Sequence, residues 1–108
     1  MNVFSAASLG LALVCAGAAA QDPAPQFRPE QIKKGAALFA RNCTTCHGTR
    51  MRNPQGAIDL RTFPHDARAR FVDSVTYGKR NMPSWDDVLN PGDIEALWAY
   101  VVAGEPGN

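Results

Sequence analysis

The tightest constraint on this chain is the pentapeptide Cys43-Thr44-Thr45-Cys46-His47, which sets two thiols one helical turn apart and an imidazole directly after the second. The only other cysteine is Cys15 and the only other histidine is His65. A disulfide between Cys43 and Cys46 would close too short a loop to remove much entropy from the unfolded chain, so it makes a poor staple. Zinc would need Cys43, Cys46, His47 and His65 together. Neighbouring ligands at 46 and 47 reach one tetrahedral ion awkwardly, and the usual spacing of structural zinc sites is absent. Thiol–disulfide exchange expects such a pair at a helix N-terminus in a strand–helix–strand setting, yet no segment here keeps a strand-like alternation.

Residues 3–20, VFSAASLGLALVCAGAAA, form an apolar, alanine-rich run ending in small residues. They predict a signal peptide over 1–20 with cleavage before Gln21, although the first residues, MNVF, carry no Lys or Arg. An uncleaved anchor is the alternative, but spanning a bilayer takes about 20 strongly apolar residues. Val14 before Cys15 argues against a lipid anchor there. Residues 21–28 are proline-rich and polar, as in a flexible linker, which leaves 29–108 as the folded domain. A domain this small rarely stabilises itself by core burial alone and usually needs a staple.

Three helices and two long loops organise that domain, so an all-α fold is expected. Ile32, Ala36 and Phe39 share one face of a predicted helix over Pro29–Asn42. Gly35 interrupts it at a cost of about 1 kcal/mol against Ala, which suggests close approach by another element. Residues 48–64 are dense in Gly, Pro and Asn and read as a loop. A second helix carries Ala67, Phe71, Val72 and Val75 and stops at Gly78. The stretch RNMPSWDDVL is the second loop, because Pro83 disfavours helix at Met82. The last helix is punctuated by Asn90 as N-cap, Pro91, Asp93 and Gly104, with Ile94, Leu97, Trp98 and Val101 on its apolar face. Loops this long in so small a domain usually wrap something.

A covalent haem meets these conditions. C-x-x-C-H spaces two thiols to meet the two vinyl groups, and the histidine that follows is aimed at the iron. A thioether from a downstream loop would close the opposite face. Met51 lies only four residues past His47 and stays on the proximal side. Met82 lies 35 residues past His47, in a loop stiffened by Pro83, and is the candidate sixth ligand. His65 is the rival.

The chain resembles the small class I c-type cytochromes over nearly all of residues 29–104. KGAALFARNCTTCHG is similar to that family's first helix and attachment motif, GKRNMPSW to its axial-methionine loop, and IEALWAYV to its last helix. The resemblance implies a cytochrome c fold wrapped around one haem c bound through Cys43 and Cys46, with Gly35 and Phe39 packed against Leu97 and Tyr100. In AIDL the family commonly has proline where Ile58 stands, and that residue's carbonyl accepts the Nδ1–H of the ligand histidine. Arg61 is a candidate partner for a haem propionate; Trp85 and Tyr77 either pack on the haem or fill the core.

The expected function is electron transport in the periplasm: a one-electron carrier, not an enzyme, with His47 and Met82 on the iron. The DLR…NMPSW pattern is similar to carriers serving quinoprotein alcohol dehydrogenases, which implies a donor dehydrogenase and, as acceptor, a terminal oxidase of a respiratory chain or another cytochrome. The alternative is a haem enzyme or sensor, a peroxidase or gas-binding protein, with a labile sixth ligand. All eleven Lys and Arg residues fall between Arg28 and Arg80, whereas five acidic residues and no basic one follow Asn81. A basic half could attract an acidic partner, but charges compensating across the fold are the simpler expectation. No basic run is interleaved with aromatics, so nucleic acid is not expected, nor is stable membrane insertion after signal cleavage.

Overall fold

A computed structural model describes residues 10–11 and 26–105; nearly all of the expected signal segment 1–20, and the linker up to residue 25, lie outside the described residues. Helix α1 spans Pro29–Asn42, as expected. Proline suits the first helical position because its φ is already helical and its missing N–H would be unpaired there anyway. The Arg28 carbonyl starts the ladder, accepting from Gln31 and Ile32 at 3.0 and 3.2 Å. A single turn, α2 (Thr44–His47), follows at once. Helix α3 runs Arg68–Tyr77 and ends at Gly78, whose φ of +81° only glycine adopts without strain. It begins later than its apolar pattern suggests because the Ala67 N–H turns back to the Pro64 carbonyl at 3.1 Å.

Helix α4 spans Pro91–Ala103 behind a complete capping box: Asn90 Oδ1 accepts from the Asp93 N–H at 2.8 Å and Asp93 Oδ2 from the Asn90 N–H at 3.1 Å. Among the described residues there is no strand, only an isolated antiparallel pairing of Lys79 with Met82. None of the described helices is long and apolar enough to cross a membrane.

The core is built where α1 and α3 pack on α4. A β-carbon at Gly35 would lie 1.9 Å from the Ala96 carbonyl oxygen, so α1 and α4 cross at backbone contact. This supplies the reason for a mid-helix glycine, whose nearest neighbours across the crossing are the Ala96 carbonyl and Tyr100 Cβ. Beside the crossing, the rings of Phe39 and Tyr100 meet at 5.3 Å between centroids. A second aromatic group joins three segments. Phe63, at the end of the first loop, meets Phe71 of α3 edge-on at 5.9 Å and Trp98 of α4 at 6.0 Å, and Phe71 meets Trp98 at 5.2 Å. Burying side chains of this size stabilises by about 1.5–3 kcal/mol each, so the first group helps to hold α1 on α4 and the second ties the end of the first loop to α3 and α4.

Candidate haem-binding site

Helix α1 delivers the motif. Its last N–H donor is Cys43, to the Phe39 carbonyl, and the Cys43 carbonyl then accepts the His47 N–H; both bonds measure 2.9 Å. Thus both thiols and the imidazole ride on one turn of backbone fixed to α1. Both cysteines are free. Cys43 is partly buried against the core, and burial pushes its thiol up to about 11, away from the depressed values that make a thiol a redox nucleophile. Cys46 is exposed.

The imidazole is half-buried, 6.4 Å from the Phe39 ring. Burial lowers its pKa, and the neighbouring Ile58 backbone opposes that shift, so the ring stands neutral at physiological pH. Nδ1 is buried without a hydrogen-bond partner, and the Ile58 backbone lies close to the ring. A neutral imidazole can ligate a metal through either ring nitrogen, and with Nδ1 buried in the fold Nε2 is the one left to do so.

After His47 the chain reverses at Gly48 (φ +80°), where a β-carbon would fall 1.7 Å from the Arg52 carbonyl oxygen. Arg50 and Met51 both take left-handed conformations, and Met51 is buried at 2 % exposure. Met51 is a core residue, which its sequence context of arginines and asparagine did not suggest.

Met82 ends a tight turn. Lys79 and Met82 exchange backbone hydrogen bonds of 3.0 and 2.9 Å, Arg80 sits at φ +55°, and a β-carbon on Gly78 would lie 2.7 Å from the Met82 carbonyl oxygen. The Trp85 N–H donates to the Val75 carbonyl at 2.9 Å, tying this turn to α3. Met82 and Trp85 are both partly buried against the core. Ile58 is 59 % exposed and Tyr77 74 % exposed, so Tyr77 does not fill the core. Arg61 grips Asp59 two residues away, Nε to Oδ1 at 3.0 Å and one terminal nitrogen to Oδ2 at 2.9 Å; the guanidinium holds that exposed carboxyl below its ordinary range. His65 is exposed. The structure therefore gathers Cys43, Cys46, His47 and the Ile58 backbone, holds Met82 and Trp85 on a second rigid turn, and leaves Arg61 engaged elsewhere. Two surface hollows, of about 380 Å³ beside the start of α1 and about 470 Å³ between α3 and α4, contain none of these residues.

The residues fit a covalently attached haem: two free thiols one turn apart and a neutral imidazole with a buried Nδ1, beside the backbone of the exposed Ile58. Helices in this order, with C-x-x-C-H at the end of the first, define a small class I c-type cytochrome. Residues 30–101 match the family described as cytochrome c oxidase, cbb3-type, subunit III, and the chain belongs to that family of cytochrome c domains. Over 82 residues it is 35% identical to quinohemoprotein alcohol dehydrogenase ADH IIB of Pseudomonas putida, covering 71% of this chain but 12% of that one. Over 80 residues it is 36% identical to cytochrome c6 of Limnospira maxima, covering 66% of this chain and 90% of that one. The solved quinohemoprotein alcohol dehydrogenase ADHIIG of Pseudomonas putida HK5 superposes with a TM-score of 0.62 at 25% identity, over 77% of this chain and 14% of that one. The chain thus matches small parts of the dehydrogenases and almost all of a free-standing cytochrome. Members of the family bind covalently attached haem c, and the electron carriers among them include cytochrome c6.

Proposed function

We propose that this chain is a periplasmic one-electron carrier whose haem c is joined by thioethers to Cys43 and Cys46 and whose iron is held by His47 and Met82. The observation carrying this reading is the single turn Cys43–His47, which bears both free thiols and a half-buried, neutral imidazole. The bound haem supplies a one-electron iron couple whose potential is tuned by its axial ligands and surroundings. Cys43 and Cys46 fix the ring to the end of α1. His47 would present Nε2, because its Nδ1 is buried in the fold. Met82, carried on a turn closed by two backbone hydrogen bonds, presents a soft thioether and denies a site to peroxide or small gases. If His47 and Met82 both held the iron, the group would offer no open position to a substrate, which would suit a carrier rather than an enzyme.

Similarity to a quinohaemoprotein dehydrogenase and to a cbb3-type oxidase subunit supports a route from a quinoprotein alcohol dehydrogenase to a terminal oxidase. Met82→Ala tests the ligand set: it is expected to give a high-spin spectrum that binds carbon monoxide and a potential well below that of the wild type. An unchanged potential would assign the sixth position elsewhere and favour the sensor or peroxidase reading. Stopped-flow mixing with a substrate-reduced quinohaemoprotein alcohol dehydrogenase tests the route. Saturable reduction of this chain is expected, and reduction no faster than by ascorbate would contradict it. Export is tested by the N-terminus of the mature protein, which should begin at Gln21.

A further inference from the structure

The last described side chain, Glu105, reaches back to the turn that leaves His47. Helix α4 ends at Gly104, where a φ of +82° reverses the chain and the Gly104 N–H closes on the Tyr100 carbonyl at 2.8 Å. The reversal lays Glu105 over the last turn of α4. Its Oε2 accepts from the Tyr100 hydroxyl at 2.5 Å, and its Oε1 lies 3.7 Å from Arg50 Nε. Tyr100 is 1 % exposed, so its hydroxyl needs an acceptor inside the fold. Burial first, and then Glu105, raise its pKa.

Arg50 and Met51 hold left-handed conformations that non-glycine residues keep only where surrounding contacts dictate them. Met51 is dictated by burial. Arg50 is 60 % exposed on its side chain and cannot be held by packing; its ion-pair partner is Glu105. On the opposite side Tyr100 packs on Phe39 at 5.3 Å, and Phe39 lies 6.4 Å from the His47 ring. Two lines of contact therefore join Glu105 to the motif. One passes through Tyr100 and Phe39 to the imidazole, the other through Arg50 to the backbone just beyond it.

We infer that Glu105 is a positioning residue for His47: one carboxylate fastens the left-handed turn at Arg50–Met51 to the last turn of α4 and so fixes the plane of the imidazole. The inference rests on His47 being the proximal ligand. The pair also balances charge beside the site, since removing either member leaves one unit uncompensated.

The haem-loaded full chain is compared with Glu105→Gln, Arg50→Gln and the double variant. Each single variant is expected to raise amide exchange in residues 48–53 about tenfold and to shift the paramagnetically displaced His47 ring resonances of the oxidised protein. Midpoint potentials move oppositely, upward for Glu105→Gln because a lost anion disfavours the ferric charge, and downward for Arg50→Gln. The double variant returns the potential toward the wild type while the turn stays exchange-labile. Unchanged exchange over 48–53, or a lowered melting temperature with unmoved His47 resonances, overturns the inference. Loss of the ligand assignment itself is distinguishable, because the wild-type protein would then show no displaced His47 resonances.

Discussion

A β-carbon at Gly35 would meet the Ala96 carbonyl oxygen at 1.9 Å, the Ala96 carbonyl carbon at 2.6 Å and Tyr100 Cβ at 2.8 Å. None of these is the far end of a flexible side chain, so the helices themselves would have to part. Gly35→Ala gains about 1 kcal/mol of helix propensity, but overpacking a tight contact costs about 1–3 kcal/mol or more. Because backbone must move, the upper end applies and the second effect wins. A net loss of about 2 kcal/mol, lowering the melting temperature by about 10 °C, is expected in thermal unfolding; an unchanged midpoint would mean that the helices do not meet at this residue. Gly35 was legible in the sequence because a glycine inside a well-formed apolar period asks for a reason. Glu105 was not, because its contacts are set by the reversal at Gly104 and its ion-pair partner, Arg50, lies 55 positions away. Arg61 shows the opposite case. Its bidentate contact with Asp59 is local, yet a count of charged residues offers a propionate just as readily.

Among the elements, α4 is the most completely specified by its own residues. Asn90, Pro91 and Asp93 mark its start, and the capping box forms as their spacing requires. Asn90→Ala should cost about 1 kcal/mol, measured by denaturant unfolding. The Asp93 carboxyl is held below its ordinary value, first by Lys34, 3.1 Å away, then by the Asn90 backbone. At the other end of the helix, burial and Glu105 raise the Tyr100 phenol above its ordinary 10.0. The folded state therefore holds that proton more tightly than the unfolded chain does. Its contribution is complete below pH 10 and is lost as pH rises through the folded value. Stability measured by denaturant should fall in alkali for the wild type, and Tyr100→Phe should remove this fall; an equal fall in the variant would contradict it. The turn at Lys79–Met82 was harder to read. Pro83 announces a break in helix, but the left-handed Arg80 and the anchoring of Trp85 to Val75 depend on α3 being in place.

Over the whole molecule, the lopsided charge along the chain is largely a folding pattern. Lys34, Arg50 and Arg68 pair with Asp93, Glu105 and Glu95, so three of the five acidic residues after Asn81 are matched by basic residues from the earlier half. Segment order and fold class were legible because helix punctuation and the pentapeptide are local signals. Packing of the long loops was not, since Met51, Phe63 and Leu60 enter the core from segments without a period. The small core also sets an expectation for the chain without its cofactor. Cys43→Ser with Cys46→Ser, which cannot hold haem covalently, should lose the near-ultraviolet dichroism of its buried aromatic residues at 37 °C; a sharp cooperative melt like that of the wild type would mean the fold needs no staple.

The most direct test of the account is the visible and near-infrared spectrum of the purified oxidised protein, matured in a host that attaches haem. The account predicts a low-spin ferric spectrum carrying the weak charge-transfer band of a methionine–iron bond. A colourless chain, or a high-spin spectrum without that band, would contradict it.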